Sequence, residues 1–175
     1  MEAKILVSAC LLGQPVRYNG RALSLESELL ERWKAQDRVV PLCPEVAAGL
    51  ATPRPPAEIE PSGSGAAVAD GTARIFDVDG GDVTEAFLSG ARIALDTARA
   101  HGCRYALLTD GSPSCGSGFI YSGHHDGIRR KGQGVTATVL SQAGIRVFAQ
   151  HQIRELGEAL AATCLASSET GPQSR

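Results

Sequence analysis

Four short apolar runs alternating with helical periodicity constrain this chain more than any other feature. Lys4–Val7 enters Ser8-Ala9-Cys10, Arg38–Leu42 ends at Cys43-Pro44-Glu45, Tyr105–Thr109 runs into Asp110–Gly116, and Ile145–Ala149 closes the series. Each run is too short for a stable helix and reads as a buried strand. Between them, Leu25, Leu29, Leu30 and Trp33 recur at helical spacing behind Ser24, a residue suited to an N-cap. Asp82–Glu85 opens a long helix to about His101, stopped by Gly102. Val135–Gln142 ends at Gly144, and Ile153–Cys164 forms the last helix. Strands alternating with helices imply a parallel sheet covered on both faces.

The expected fold class is therefore α/β: a single Rossmann-like three-layer domain, residues 1–166, with a mainly parallel sheet and a small hairpin excursion. The hairpin is expected from Ala66–Ala69 and Ala73–Val78 around Asp70-Gly71-Thr72, because Asp-Gly favours tight turns. Gly49–Ser64 carries Pro53, Pro55, Pro56 and Pro61 and reads as a stiff surface loop. Pro41 marks the second strand as one whose ladder pairing fails locally. Residues 167–175 lack a core-forming pattern and are expected to be a disordered tail.

Bulk properties exclude several function classes. Formal net charge is −2 and only 5% of residues are aromatic. A nucleic-acid surface needs clustered cations and stacking rings, so no nucleic-acid partner is expected. No apolar stretch approaches the ~20 residues of a membrane span, and Met1–Val7 does not have the build of a signal peptide. A cytoplasmic location with no membrane partner is the expectation. No nucleotide-binding fingerprint is present.

There are five cysteines, Cys10, Cys43, Cys103, Cys115 and Cys164. An odd number in such a chain argues against a disulfide framework and for metal or catalysis. In parallel sheets, ligands sit beyond the carboxyl ends of the strands. Cys10, Cys43 and Cys115 each follow a strand, so they should converge on one edge. Cys103 precedes its strand and falls at the opposite edge; Cys164 lies on the last helix, and both are assigned to packing. Three converging thiolates suit a soft metal. Zinc would need a fourth ligand from His124, His125, Glu45 or water. A 4Fe–4S cluster is normally held by four cysteines, so three would leave one iron open. Three small buried core cysteines are the plain alternative.

The local blocks go further. Ser8-Ala9-Cys10-Leu11-Leu12-Gly13 with Arg17-Tyr18-Asn19-Gly20 opens an ordered set. It continues through Cys43-Pro44-Glu45, Gly49–Ile59, Asp82-Val83-Thr84, Ser112-Pro113-Ser114-Cys115-Gly116, Gly134–Ala137 and Gly144–Phe148. Spanning about Ile5 to Phe148, the set resembles the bacterial thiouracil desulfidases of the TudS type. The resemblance implies a 4Fe–4S cluster held by three cysteines, Cys10, Cys43 and Cys115, whose remaining iron takes the substrate's sulfur. It implies non-redox, hydrolytic chemistry with Glu45 and Ser112 as catalytic residues. The substrate would be a small thiolated pyrimidine such as 2-thiouracil, giving uracil and hydrogen sulfide. Cluster-assembly machinery is the implied partner, acting on a monomer or small homo-oligomer.

Two segments depart from the pattern, Thr109-Asp110-Gly111 and the loop from Tyr121 to Arg130. They could alter the pocket, so they bear on substrate identity. His124 and His125, in a polar glycine-rich loop, are expected to be solvated. Arg17 and Tyr18 either line the pocket or pack the first loop, and Arg54 is expected to anchor its loop by salt bridges. The rivals are a zinc-dependent hydrolase and a non-enzymatic iron–sulfur carrier or sensor.

Overall fold

The computed structural model describes residues 2–168, with side chains as far as Cys164. In chain order the strands are β1 Lys4–Ser8, β2 Val39–Leu42, β3 Ala57–Ile59, β4 Ile75–Asp77, β5 Cys103–Leu108, β6 Phe119–Tyr121, β7 Arg129–Lys131 and β8 Arg146–Ala149. The helices are α1 Glu28–Ala35, α2 Pro44–Ala47, α3 Gly65–Asp70, α4 Thr84–Ala100, α5 Val135–Gln142 and α6 Ile153–Ser168. Positions 167 and 168 thus end α6, while the rest of the expected tail lies outside the described residues.

The central sheet runs β2-β1-β5-β8 and is parallel throughout. Side chains alternate across a strand, so a sheet buried on both faces needs apolar residues in both registers. Ile5 and Val7 of β1, with Tyr105 and Leu107 of β5, meet Leu30 and Trp33 of α1 and Leu156 of α6. Leu6, Ala106 and Leu108 point the other way, onto Ala94 and Ala98 of α4 and Ala137 and Leu140 of α5. This is the expected three-layer arrangement. From β1 the chain steps outward to β2, then returns past β1 to β5. The strand order therefore reverses beside β1, the place where parallel sheets open a crevice for ligands. Pro41 pairs with Val7 on the edge strand β2, where its missing amide interrupts no further ladder. Among the described residues, no helix is long and apolar enough to cross a membrane.

The antiparallel excursion pairs different segments from those expected. Gly65–Asp70 is a helix: Ser64 Oγ accepts the amide of Ala67 as its N-cap, and Gly71 (φ +86°) closes it in the left-handed region. The Asp-Gly step is thus a helix stop, not a hairpin turn. β4 instead pairs with β3, inside the proline-rich loop, and β6 pairs with β7. Helix α1 also starts later than Ser24 suggests. The amides of Leu23 and Leu25 bond to the carbonyls of Cys10 and Leu11, which keeps this segment extended beside the first turn.

Candidate functional site

Cys10 lies in the short 3-10 turn Ala9–Leu12 that follows β1 and is closed by Gly13 at φ +89°. Cys43 occupies the N-cap position of α2, whose first residue is Pro44. Proline suits that position because its missing amide has no helical partner to lose. Cys115 stands in the loop after β5, and Ser112 Oγ accepts the amides of Ser114 (3.0 Å) and Cys115 (3.2 Å). Three strand ends thus deliver three thiols to the wall of one cavity of about 530 Å³.

Further bonds fix these ends against each other. The Thr109 amide donates to Ser8 Oγ at 3.1 Å, tying β5 to β1. The Thr109 hydroxyl lies 2.9 Å from the Cys10 sulfur in a hydrogen bond. Asp110 Oδ1 accepts the amides of Gly111, Ser117, Gly118 and Phe119, so one carboxylate oxygen ties together the two flanks of the loop that carries Cys115. Asp110 matters in a way the sequence reading missed; its signal was the Asp-Gly step after a strand, which favours side-chain-to-backbone turns.

Burial pushes the Cys10 and Cys43 thiols above the ordinary thiol value. The Thr109 hydroxyl and the Arg17 charge oppose this at Cys10, and the Val46 amide opposes it at Cys43. Cys115 is raised strongly, first by burial and then by the Glu45 carboxylate and the Cys10 and Cys43 thiols. The groups are close enough to feel one another's charge. A metal centre binding here must displace thiol protons, as thiolate ligation always requires.

Glu45, two residues beyond Cys43, is held at both oxygens. Arg54 donates Nε to Oε2 at 2.8 Å, and its Nη2 lies 2.5 Å from the same oxygen. Ser112 Oγ donates to Oε1 at 3.3 Å. The expected ligand and catalytic positions, Cys10, Cys43, Cys115, Glu45 and Ser112, therefore line one cavity. Arg17 and Tyr18 also line it, with the guanidinium carbon 5.9 Å from the ring centroid. Arg54 does tie down its loop, but its ion pair reaches Glu45, a contact the sequence reading did not foresee.

The remaining candidates divide. His124 is exposed, as expected for a solvated residue. His125 is not: it is half-buried on the cavity wall, with Nδ1 3.8 Å from Glu58 Oε1, because Glu58 Oε2 binds the amides of Gly123 and His125 and draws the loop inward. Cys103 is buried at the far edge of the sheet, and burial pushes its thiol up to about 11. Cys164 is exposed, against the expectation of packing, because that turn of α6 presents it to solvent. Among the described residues, no three His, Cys, Asp or Glu side chains gather tightly enough to hold a single metal ion.

A family model described as 2-thiouracil desulfurase matches residues 5–152. The Bacillus subtilis (strain 168) protein YbbK is 43% identical over 152 residues, which cover 87% of this chain and 99% of YbbK. A solved structure of the 4Fe–4S-dependent thiouracil desulfidase TudS is similar with a TM-score of 0.83 at 46% identity. That match covers 92% of this chain and 99% of the TudS chain.

Proposed function

The chain belongs to the 2-thiouracil desulfurase family, and from that footing we propose that it converts a thiolated pyrimidine such as 2-thiouracil, with water, to the oxo base and hydrogen sulfide. The observation that carries this reading is the gathering of Cys10, Cys43, Cys115, Glu45 and Ser112 on one cavity. Cys10, Cys43 and Cys115 would hold a 4Fe–4S cluster. With three thiolates instead of the usual four, such a cluster would supply Lewis-acid chemistry toward the substrate's sulfur, weakening its bond to carbon.

The protein's own groups supply the rest. Arg54 occupies Oε2 of Glu45, so Oε1 is the oxygen directed at Ser112. Glu45 takes a proton from the water that attacks the thiocarbonyl carbon. Ser112, whose oxygen accepts two backbone amides, donates its hydroxyl hydrogen to Oε1 and holds that oxygen in place, and the protonated Glu45 returns its proton to the departing sulfur. C=S and water become C=O and hydrogen sulfide with no net change in electrons, so no external oxidant or reductant enters the balance.

The test is anaerobic. The chain is reconstituted with iron and sulfide, mixed with 2-thiouracil, and followed for loss of thione absorbance, appearance of uracil and release of sulfide. The reading expects one sulfide per uracil formed. Glu45→Gln should keep the visible cluster spectrum and lose about 10²–10⁴-fold in kcat, the usual contribution of a general base. A cluster-loaded protein that leaves 2-thiouracil and related thio-bases intact contradicts the reading. So does a Glu45→Gln variant with undiminished turnover.

A further inference from the structure

Arg54 is nine residues from Glu45 in sequence, inside the proline-rich loop between Pro53 and Pro55, yet its guanidinium is committed to that carboxylate. The two side chains are 8% and 14% exposed, so neither charge is balanced by solvent alone. Nε and Nη2 both address Glu45 Oε2. The guanidinium is then immobilised by neutral acceptors: Nη1 donates to Ala51 O at 3.0 Å and Thr52 Oγ1 at 3.3 Å, and Nη2 to Val16 O at 3.0 Å. A rigid planar fork held on its other side cannot follow a carboxylate that turns. Glu45 is left with one orientation, Oε2 on the arginine and Oε1 on Ser112.

We propose that Arg54 is a positioning residue for the reaction, fixing the carboxylate of Glu45 so that Oε1 faces the attacking water. The inference rests on the desulfidase reading for its catalytic consequence and on geometry alone for the coupling of the two side chains. A simple loop anchor would need the bonds to Ala51, Thr52 and Val16 but would be indifferent to what stands at position 45.

Arg54→Gln, Arg54→Lys, Glu45→Gln and the double variant Arg54→Gln/Glu45→Gln, all as full-length chain, separate the two roles. With the cluster loaded, Arg54→Gln should retain its iron and its KM while kcat falls about 100-fold, the penalty expected of a misplaced catalytic group. Arg54→Lys keeps the charge without the fork and should recover only part of the rate. The metal-free chain gives a readout independent of turnover. There Arg54→Gln should lower Tm by on the order of 10 °C when Glu45 is present, because it strands a largely buried carboxylate. In the Glu45→Gln background, the same change should cost much less. Equal Tm losses in both backgrounds, or a raised KM with unchanged kcat, overturn the proposal. If Arg54→Gln does not fold, Arg54→Lys in the two backgrounds supplies the same comparisons. If even the unmutated loaded protein turns over no thio-base, the desulfidase reading falls, while the Tm cycle still decides whether Arg54 positions Glu45.

Discussion

Ser112 carries three bonds on one oxygen, donating to Glu45 Oε1 and accepting the amides of Ser114 and Cys115. It joins the proposed base to the loop that presents the last thiol. Ser112→Ala should therefore lower kcat by about 10²-fold with little change in KM, and steady-state kinetics on the loaded enzyme check this. Undiminished kcat would reduce Ser112 to a turn residue. The cysteines outside the cavity make a separate prediction. Cys103 is raised to about 11 in the folded chain, so its neutral thiol is favoured by folding. The stability it contributes is complete below the unfolded thiol value of about 8.5 and is lost as pH rises through about 11. Denaturant melts of the metal-free chain across that window should fall less steeply for Cys103→Ala than for the unmutated protein. At pH 8 an alkylating reagent should label exposed Cys164 and spare Cys103; the reverse pattern would contradict the burial. At this scale the cysteines of the cavity were legible because each follows an apolar run. The Arg54–Glu45 pair was not, because the sequence does not specify the path of the loop between them.

Among the elements, α2 is one turn long yet begins with Cys43 at its cap and Glu45 in its first turn. Its position depends on α4. A Cβ added at Gly90 would stand 2.6 Å from the carbonyl oxygen of Pro44 and 2.9 Å from its carbon, both backbone atoms that cannot swing aside. Gly90→Ala should push α2 away from α4, costing about 1–3 kcal/mol as overpacking usually does. Cluster retention and turnover should fall with it, although Gly90 does not line the cavity. Melting temperature, iron content and kcat read this, and a variant indistinguishable from the unmutated chain on all of them would refute the dependence. The elements also show what local signals can and cannot carry. The four core strands and α4 emerged near their expected bounds because burial on both faces leaves a continuous apolar signature. The segment 65–77 misled because Asp-Gly serves equally as a hairpin turn and as a helix stop. What decides is Ser64, whose hydroxyl caps the preceding end and whose role depends on φ and ψ, not on spacing.

The whole molecule brings residues distant in sequence to one place by reversing its strand order beside β1. That reversal opens the crevice, and the turns after β1, β2 and β5 furnish Cys10, Cys43 and Cys115. The short antiparallel pairs then wall it: Ala57 and Glu58 of β3, Asp77 of β4 and Tyr121 of β6 all line the cavity. Convergence of the three cysteines on one sheet edge was readable from the alternation of strands and helices. The order of the strands and the walls were not, since both depend on contacts between segments far apart in the chain. The central claim is that one iron–sulfur cluster sits on three particular thiols. Iron and acid-labile sulfide per chain, measured after anaerobic reconstitution of the five single Cys→Ser variants, test it most directly. The account predicts about four of each in the unmutated chain, Cys103→Ser and Cys164→Ser, and a marked loss in Cys10→Ser, Cys43→Ser and Cys115→Ser. Full iron and sulfide in all three of the latter would contradict it.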